Sequence, residues 1–95
     1  TRLARQGCDE GSAASCTILG LAHLEGWKGQ RDFERAVALF QKSCKADDAA
    51  GCLQLSYAYA EGWGIEEDPT KATQFREKAC RLGLAKACGV APAKD

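Results

Sequence analysis

Residues 48–83 read DAAGCLQLSYAYAEGWGIEEDPTKATQFREKACRLG, and they carry the signals of a helix, a turn and a second helix. Asp48 is a good N-cap for the first helix. Apolar residues then recur on one helical face, at Cys52, Leu55, Ala58 and Tyr59. The glycines of Gly62-Trp63-Gly64 favour a stop, and Asp68-Pro69 starts the second helix with a cap and an N1 proline. We therefore predict helices over about 48–61 and from Asp68 to the C′ residue Gly83.

The same arrangement occurs more than once along the chain. The cysteines fall at 8, 16, 44, 52, 80 and 88, in pairs that recur every 36 residues. The preceding unit predicts a helix over about Ser12–Glu25, a turn at Gly26–Gln30, the N-cap Asp32 and a helix over Phe33–Ala46. No segment alternates as a half-buried strand would. The predicted fold is all-α, a solenoid of about two and a half helix-turn-helix repeats.

The repeat period also sets the predicted boundaries. Residues 1–15 read as the end of a preceding repeat, 16–51 and 52–87 as two repeats, 88–91 as the start of another, and 92–95 as a polar tail. We expect an array that starts inside a repeat and ends near its own C-terminus.

Each cysteine pair is predicted to bridge two helices. One cysteine lies near the end of a helix and the other in the first turn of the next, so antiparallel packing brings them together. The favoured disulfides are Cys8–Cys16, Cys44–Cys52 and Cys80–Cys88, each stabilising the fold by roughly 2–3 kcal/mol. Such pairs indicate an oxidising compartment, extracellular or periplasmic. Six reduced, buried cysteines are the open alternative. Zinc is disfavoured because no CxxC pair is present.

The composition excludes several classes of function. Lysine and arginine number 13, aspartate and glutamate number 13, and the formal net charge is zero. A nucleic-acid module or a polybasic membrane-surface segment would need a positive excess. No apolar run approaches the roughly 20 residues that span a bilayer.

Catalytic motifs are absent from the sequence. It contains no Ser-x-x-Lys, Gly-x-Ser-x-Gly, P-loop or Gly-x-Gly-x-x-Gly pattern. A Ser–His pair would have to recruit the single histidine, His23, and nothing nearby activates it. The acidic run Glu66, Glu67 and Asp68 reads as a solvated loop and a helix cap. We therefore assign no catalytic residue, metal site or cofactor.

The repeat resembles a known family. The pattern Leu55-x3-Tyr59-x2-Gly62-x-Gly64-x3-Asp68-x2-Lys71-Ala72, followed by Lys78-Ala79-Cys80-x2-Gly83, resembles the Sel1-like repeat. The cysteine placement is similar to that of its disulfide-rich branch, the Helicobacter cysteine-rich proteins. In the preceding unit His23 replaces the usual tyrosine, and Lys28 replaces the second turn glycine.

The resemblance implies a right-handed α/α superhelix with a concave groove, in which each disulfide joins the second helix of one repeat to the first helix of the next. It also implies an adaptor or scaffold that binds proteins or peptides. Members of the branch often carry a β-lactamase or penicillin-binding label, and this activity is one alternative. A purely structural terminal part of a longer array is another.

A partner-binding surface is predicted on the first helices, on the side away from the core. It comprises Ile18, Leu21, Glu25, Gln54, Tyr57 and Glu61. Tyr57 is the best anchor, because aromatic side chains give large contact areas at low entropic cost. The alternative for Ile18 and Leu21 is that they pack on the neighbouring repeat and do not contact a partner. Trp27 and Trp63 are expected to cover the ends of their helical pairs, or else to form a contact stripe.

Overall fold

Five helices account for most of the residues that the structure, a computed structural model, describes: 2–26, 32–84 and 87–88. They are α1 (Arg2–Asp9), α2 (Ala13–Leu24), α3 (Phe33–Lys45), α4 (Ala49–Glu61) and α5 (Pro69–Arg81). No strand occurs in these ranges. The prediction of an all-α fold is confirmed, and the helix limits lie within about one residue of the predicted ones.

The starts of four helices are fixed by side-chain caps. In each case a side-chain oxygen accepts a hydrogen bond from the backbone N–H three residues later. The capping residues are Ser12, Asp32, Asp48 and Asp68. In α5 the cap is followed by Pro69, which needs no N–H partner at that position.

The ends of the helices are closed by residues with left-handed backbone. Gly62 ends α4 with a φ of 74°, and Gly83 follows the cap of α5 with a φ of 103°. The position that corresponds to Gly83 after α3 is Asp47, at a φ of 68°. Aspartate is one of the few other residues that tolerates this conformation.

Successive helices pack against each other, and α2 also packs against α4. The core lies between the two layers that these helices form. Its largest fully buried side chains are Phe40 and Leu55. Alanines at 36, 58 and 79, all fully buried, let the helices approach closely. The result is a helical repeat solenoid with principal extents of 36 × 25 × 17 Å.

Three disulfides join consecutive repeats, and they link Cys8 to Cys16, Cys44 to Cys52 and Cys80 to Cys88. These are the pairs that the sequence spacing favours. The Cα atoms of each pair lie 4.5, 4.5 and 4.8 Å apart. The first two bridges run from a second helix to the following first helix, from α1 to α2 and from α3 to α4.

The residues that precede the paired cysteines are small at every junction. The three pairs are Gly7 with Ser15, Ser43 with Gly51, and Ala79 with Ala87. A Cβ added at Gly7 would lie 2.8 Å from the Cβ of Ser15, and one added at Gly51 would lie 2.9 Å from the Cβ of Ser43. Each pair holds two side-chain heavy atoms in total, and at the first two junctions the closely bridged helices leave little room for another.

Some predicted features fall outside the described residues. These are Trp27 and the rest of the turn after Gly26, including Lys28, and the polar tail 92–95. Of the helix expected to begin near residue 88, only Ala87 and Cys88 lie within the described range.

Candidate interaction surface

The first helices α2 and α4 present exposed apolar side chains on the side away from the core. Ile18 on α2 is 54% exposed, and Tyr57 on α4 is 43% exposed. Both are predicted partner-binding residues. Among the described residues, one further large apolar side chain is exposed, that of Leu82 at the end of α5.

The other four predicted binding residues divide between surface and interior. Glu25 and Glu61 are exposed, and Gln54 is half-buried. Leu21 is half-buried and packs against the hydrophobic core cluster. Packing, rather than partner binding, was the alternative role predicted for Leu21.

Tyr57 belongs to an aromatic surface that we define as Tyr57, Trp63 and Phe33. The ring centroids of Tyr57 and Trp63 are 6.5 Å apart, and those of Trp63 and Phe33 are 6.2 Å apart with planes inclined by 29°. These separations are typical of aromatic pairs in contact. Because Phe33 begins α3 and Tyr57 lies on α4, the aromatic surface connects two successive repeats.

The turn after α4 reaches the preceding repeat through a glycine. Gly64 has a φ of 69°, and a Cβ added there would lie 3.0 Å from the Cγ of Glu34 and 3.4 Å from the Cβ of Phe33. Both the left-handed backbone and this close approach favour glycine at the position. The turn therefore places Trp63 on Phe33 rather than solely over its own helical pair.

Phe33 was missed by sequence reasoning as a surface residue. The signal for Phe33 in the sequence is local. Phe33 follows the N-cap Asp32, whereas the residue that follows the N-cap of the next repeat is Pro69. Nothing in the one-dimensional pattern indicates that Trp63 packs on it.

Carboxylates lie beside the aromatic surface. The indole N–H of Trp63 donates a hydrogen bond to Oε1 of Glu61 at 3.3 Å. Glu34, next to Phe33, is also exposed. This end of the surface therefore combines aromatic rings with negative charge, a combination that suits a cationic side chain of a partner.

The remaining polar residues singled out in the sequence have structural surroundings. Asp68 caps α5, while Glu66 and Glu67 are exposed. His23 is half-buried in the last turn of α2, and its carbonyl accepts the N–H of Asp32 at 3.0 Å. Burial lowers the pKa of His23 below its usual 6.5, Asp32 opposes this shift, and Arg35 and Arg5 add to it. Within the described ranges, no three His, Cys, Asp or Glu side chains are grouped as metal ligands.

No helix in the described part of the chain has the length and apolar character needed to cross a bilayer.

Comparisons with known proteins agree with this architecture. The family model described as Sel1 repeat matches residues 13–48 and 49–84. The solved structure of Helicobacter pylori cysteine rich protein B (HcpB) superposes with a TM-score of 0.88 at 32% identity, over 95% of this chain and 68% of that one. A Sel1 repeat protein from Oxalobacter formigenes gives 0.82 at 32% identity, over 88% of this chain and 24% of that one. Curated protein sequences give no match.

The matched units again repeat every 36 residues, although they begin a few residues before the units bounded by the cysteines. Repeat length, helix order and interhelical disulfides therefore lead to one conclusion: the chain belongs to the Sel1 repeat family and resembles its cysteine-rich members.

Proposed function

We propose that this chain is a disulfide-stapled interaction module that binds a protein or peptide segment across the exposed face of α2 and α4. Sel1 repeat proteins are generally scaffolds for protein–protein interaction and are generally not enzymes. The observation that carries the proposal is Tyr57, an exposed aromatic residue that contacts Trp63 at the junction of two repeats. Aromatic residues of this kind dominate the binding energy of protein interfaces.

The surface around Tyr57 supports a contact that extends over both repeats. Ile18 adds an apolar side chain on α2, in the preceding repeat, at the position equivalent to Gln54. Glu25 and Glu61 occupy equivalent positions on the two helices and keep the edge of the surface acidic. A partner segment with apolar residues and a basic residue would match this distribution.

The disulfides support a location outside the reducing cytosol. The described residues include no free cysteine, and disulfides persist in oxidising compartments. We infer an extracellular or periplasmic protein. Its mass under non-reducing conditions would be six hydrogens below that of the reduced chain, and alkylation of the unreduced protein at all six thiols would contradict this inference.

The binding proposal is tested by selecting peptides from a displayed random library and measuring their affinity for variants. We expect Tyr57→Ala to weaken binding about tenfold or more, since anchors of this type contribute about 1.4 kcal/mol or more. Ile18→Ala should weaken it less. Leu82→Ala is the matched control, because Leu82 is an exposed apolar residue at the end of α5, 37% exposed.

Circular dichroism would verify that each variant keeps its helices. Equal affinity of the selected peptides for wild type and Tyr57→Ala would reject this surface as the binding site. Weakening by Leu82→Ala alone would move the site to the end of α5.

A further inference from the structure

Two rings of the aromatic surface meet at an open angle rather than in a parallel stack. The planes of Tyr57 and Trp63 are inclined by 55°, with their centroids 6.5 Å apart. Rings at this inclination do not fully cover each other's faces, and Tyr57 remains 43% exposed. Phe33 stacks on Trp63 from α3 and supports the indole. The indole is therefore held in position, while aromatic area beside it stays open to a ligand.

Negative charge is concentrated in the turn that carries Trp63. Residues 61–68 read EGWGIEED and hold four carboxylates with no lysine or arginine among them. One of the four, Asp68, caps α5, and the other three are exposed. Because Oε1 of Glu61 accepts the indole N–H of Trp63 at 3.3 Å, this carboxylate lies at the rim of the ring.

Two further glutamates lie against the same turn. A Cβ built at Gly62 would be 3.7 Å from the Cβ of Glu67, and one built at Gly64 would be 3.0 Å from the Cγ of Glu34. Both glutamates are exposed. Salt bridges between the described residues involve other side chains, Arg35 with Asp32 and Lys78 with Asp47. No described cation therefore neutralises these glutamates, and their charge favours a positively charged ligand.

We propose that the angle between Tyr57 and Trp63 receives an arginine side chain of the partner segment, an inference that rests on the interaction function proposed above. A guanidinium stacks on an aromatic face, and its N–H groups point outward to a carboxylate at the rim of the ring. Glu61 is that carboxylate, because one hydrogen bond from the indole leaves it further acceptor sites. A lysine ammonium is a more strongly hydrated point charge, which makes it the weaker ligand here.

The direct probe of this site is Nα-acetyl-arginine amide, and its reporter is the indole N–H resonance of Trp63, assigned with Trp63→Phe. We expect a saturable shift with a Kd on the order of 10 mM. Nα-acetyl-citrulline amide keeps the planar shape without the charge, and Nα-acetyl-lysine amide keeps the charge without the plane. Both should bind about threefold more weakly or worse. The absence of a shift with the arginine derivative, or equal binding of either control compound, would overturn the proposal.

Two conservative variants test the two parts of the site. Glu61→Gln keeps an acceptor for the indole N–H and removes the charge, while Tyr57→Leu keeps an apolar side chain and removes the ring. Each should weaken binding of the arginine derivative about two- to fivefold. Glu77→Gln is the control, because Glu77 is an exposed carboxylate on α5. Unchanged affinity in Glu61→Gln, or the same loss in Glu77→Gln, would overturn the pairing with Glu61.

The peptides selected from the displayed library separate this inference from the proposed function. Peptides that lose affinity for Tyr57→Ala and again when one arginine is replaced by citrulline would support both. Peptides that lose affinity for Tyr57→Ala but contain no arginine, or keep their affinity with citrulline, would overturn the arginine site and leave the binding surface in place. Peptides that bind Tyr57→Ala as well as wild type would reject the surface and the arginine site together.

Discussion

Gly51 of α4 lies so close to Ser43 of α3 that a Cβ on the glycine would sit 2.9 Å from the Cβ of the serine and equally close to Oγ1 of Thr17. Ser43 is fully buried, and its hydroxyl donates to the carbonyl oxygen of Phe40 at 3.1 Å. The serine therefore has little freedom to move away. The disulfide between the adjacent residues, Cys44 and Cys52, holds the two helices at this separation.

Gly51→Ala is expected to destabilise the fold by about 1–3 kcal/mol, because it overpacks this junction. The sign is informative, since glycine to alanine inside a helix otherwise stabilises by up to about 1 kcal/mol. Urea denaturation of the oxidised protein measures the effect.

Ser43→Ala combined with Gly51→Ala reproduces the Ala79–Ala87 pair of the third junction and should recover part of the loss. Recovery is partial because the change removes only Oγ of Ser43, while the Cβ at position 43 and Oγ1 of Thr17 stay in place. If the changes in the free energy of unfolding of the two single variants simply add in the double variant, the explanation by direct contact fails.

Caps, turns and cysteine pairs could be predicted from the sequence because they are short-range. The side chain of Asp48 accepts a hydrogen bond from an N–H only three residues away, and Cys44 and Cys52 are joined by a single turn. The contact of Trp63 with Phe33 depends on how closely separate helices approach each other. The limit on side-chain size at Ser43 and Gly51 depends on the same separation. The exchange of Phe33 for Pro69 at equivalent positions is visible in the repeat, although its consequence is not. Differences between equivalent positions were the signal that sequence reasoning used least.

The third disulfide should be reduced before the other two. Cys80 and Cys88 are half-buried, whereas the other four cysteines are at most 2% exposed. Thiol–disulfide exchange requires access of a thiolate to a sulfur atom. Limited treatment with a reductant, followed by alkylation and peptide mass mapping, should label Cys80 and Cys88 first. Equal labelling of all three pairs at short times would show that global unfolding, rather than local exposure, controls reduction.

Lys78 should stabilise the junction between the two repeats. Its Nζ donates to the carbonyl oxygen of Cys44 at 3.0 Å and lies 3.6 Å from Oδ1 of Asp47, so a cation faces the C-terminal end of α3. Lys78→Met is expected to cost about 0.5–1.5 kcal/mol in the free energy of unfolding. The matched control is Lys42→Met, since Lys42 occupies the equivalent position one repeat earlier and is exposed. A loss of the same size in both variants would contradict this role.

His23 should titrate below pH 6.5, the usual value for histidine, in the folded protein. Burial disfavours the imidazolium, and the guanidinium groups of Arg35 and Arg5 add to this effect, while Asp32 opposes it. Because the sequence contains one histidine, a single Cε1–H resonance reports the titration by NMR. The same resonance in urea-unfolded protein gives the reference midpoint, and a folded midpoint at or above it would contradict the prediction.

The lowered pKa of His23 also fixes the sign of its contribution to stability. Between the folded and the unfolded pKa the unfolded chain binds more protons, so the free energy of unfolding falls as the pH decreases through this interval. His23→Gln should remove this part of the acid sensitivity, which urea denaturation at pH 7 and at lower pH would measure. Arg35→Gln removes a nearby positive charge and should raise the pKa of His23 towards the unfolded value. An unchanged midpoint in Arg35→Gln would show that Arg35 does not contribute to the lowered pKa of His23.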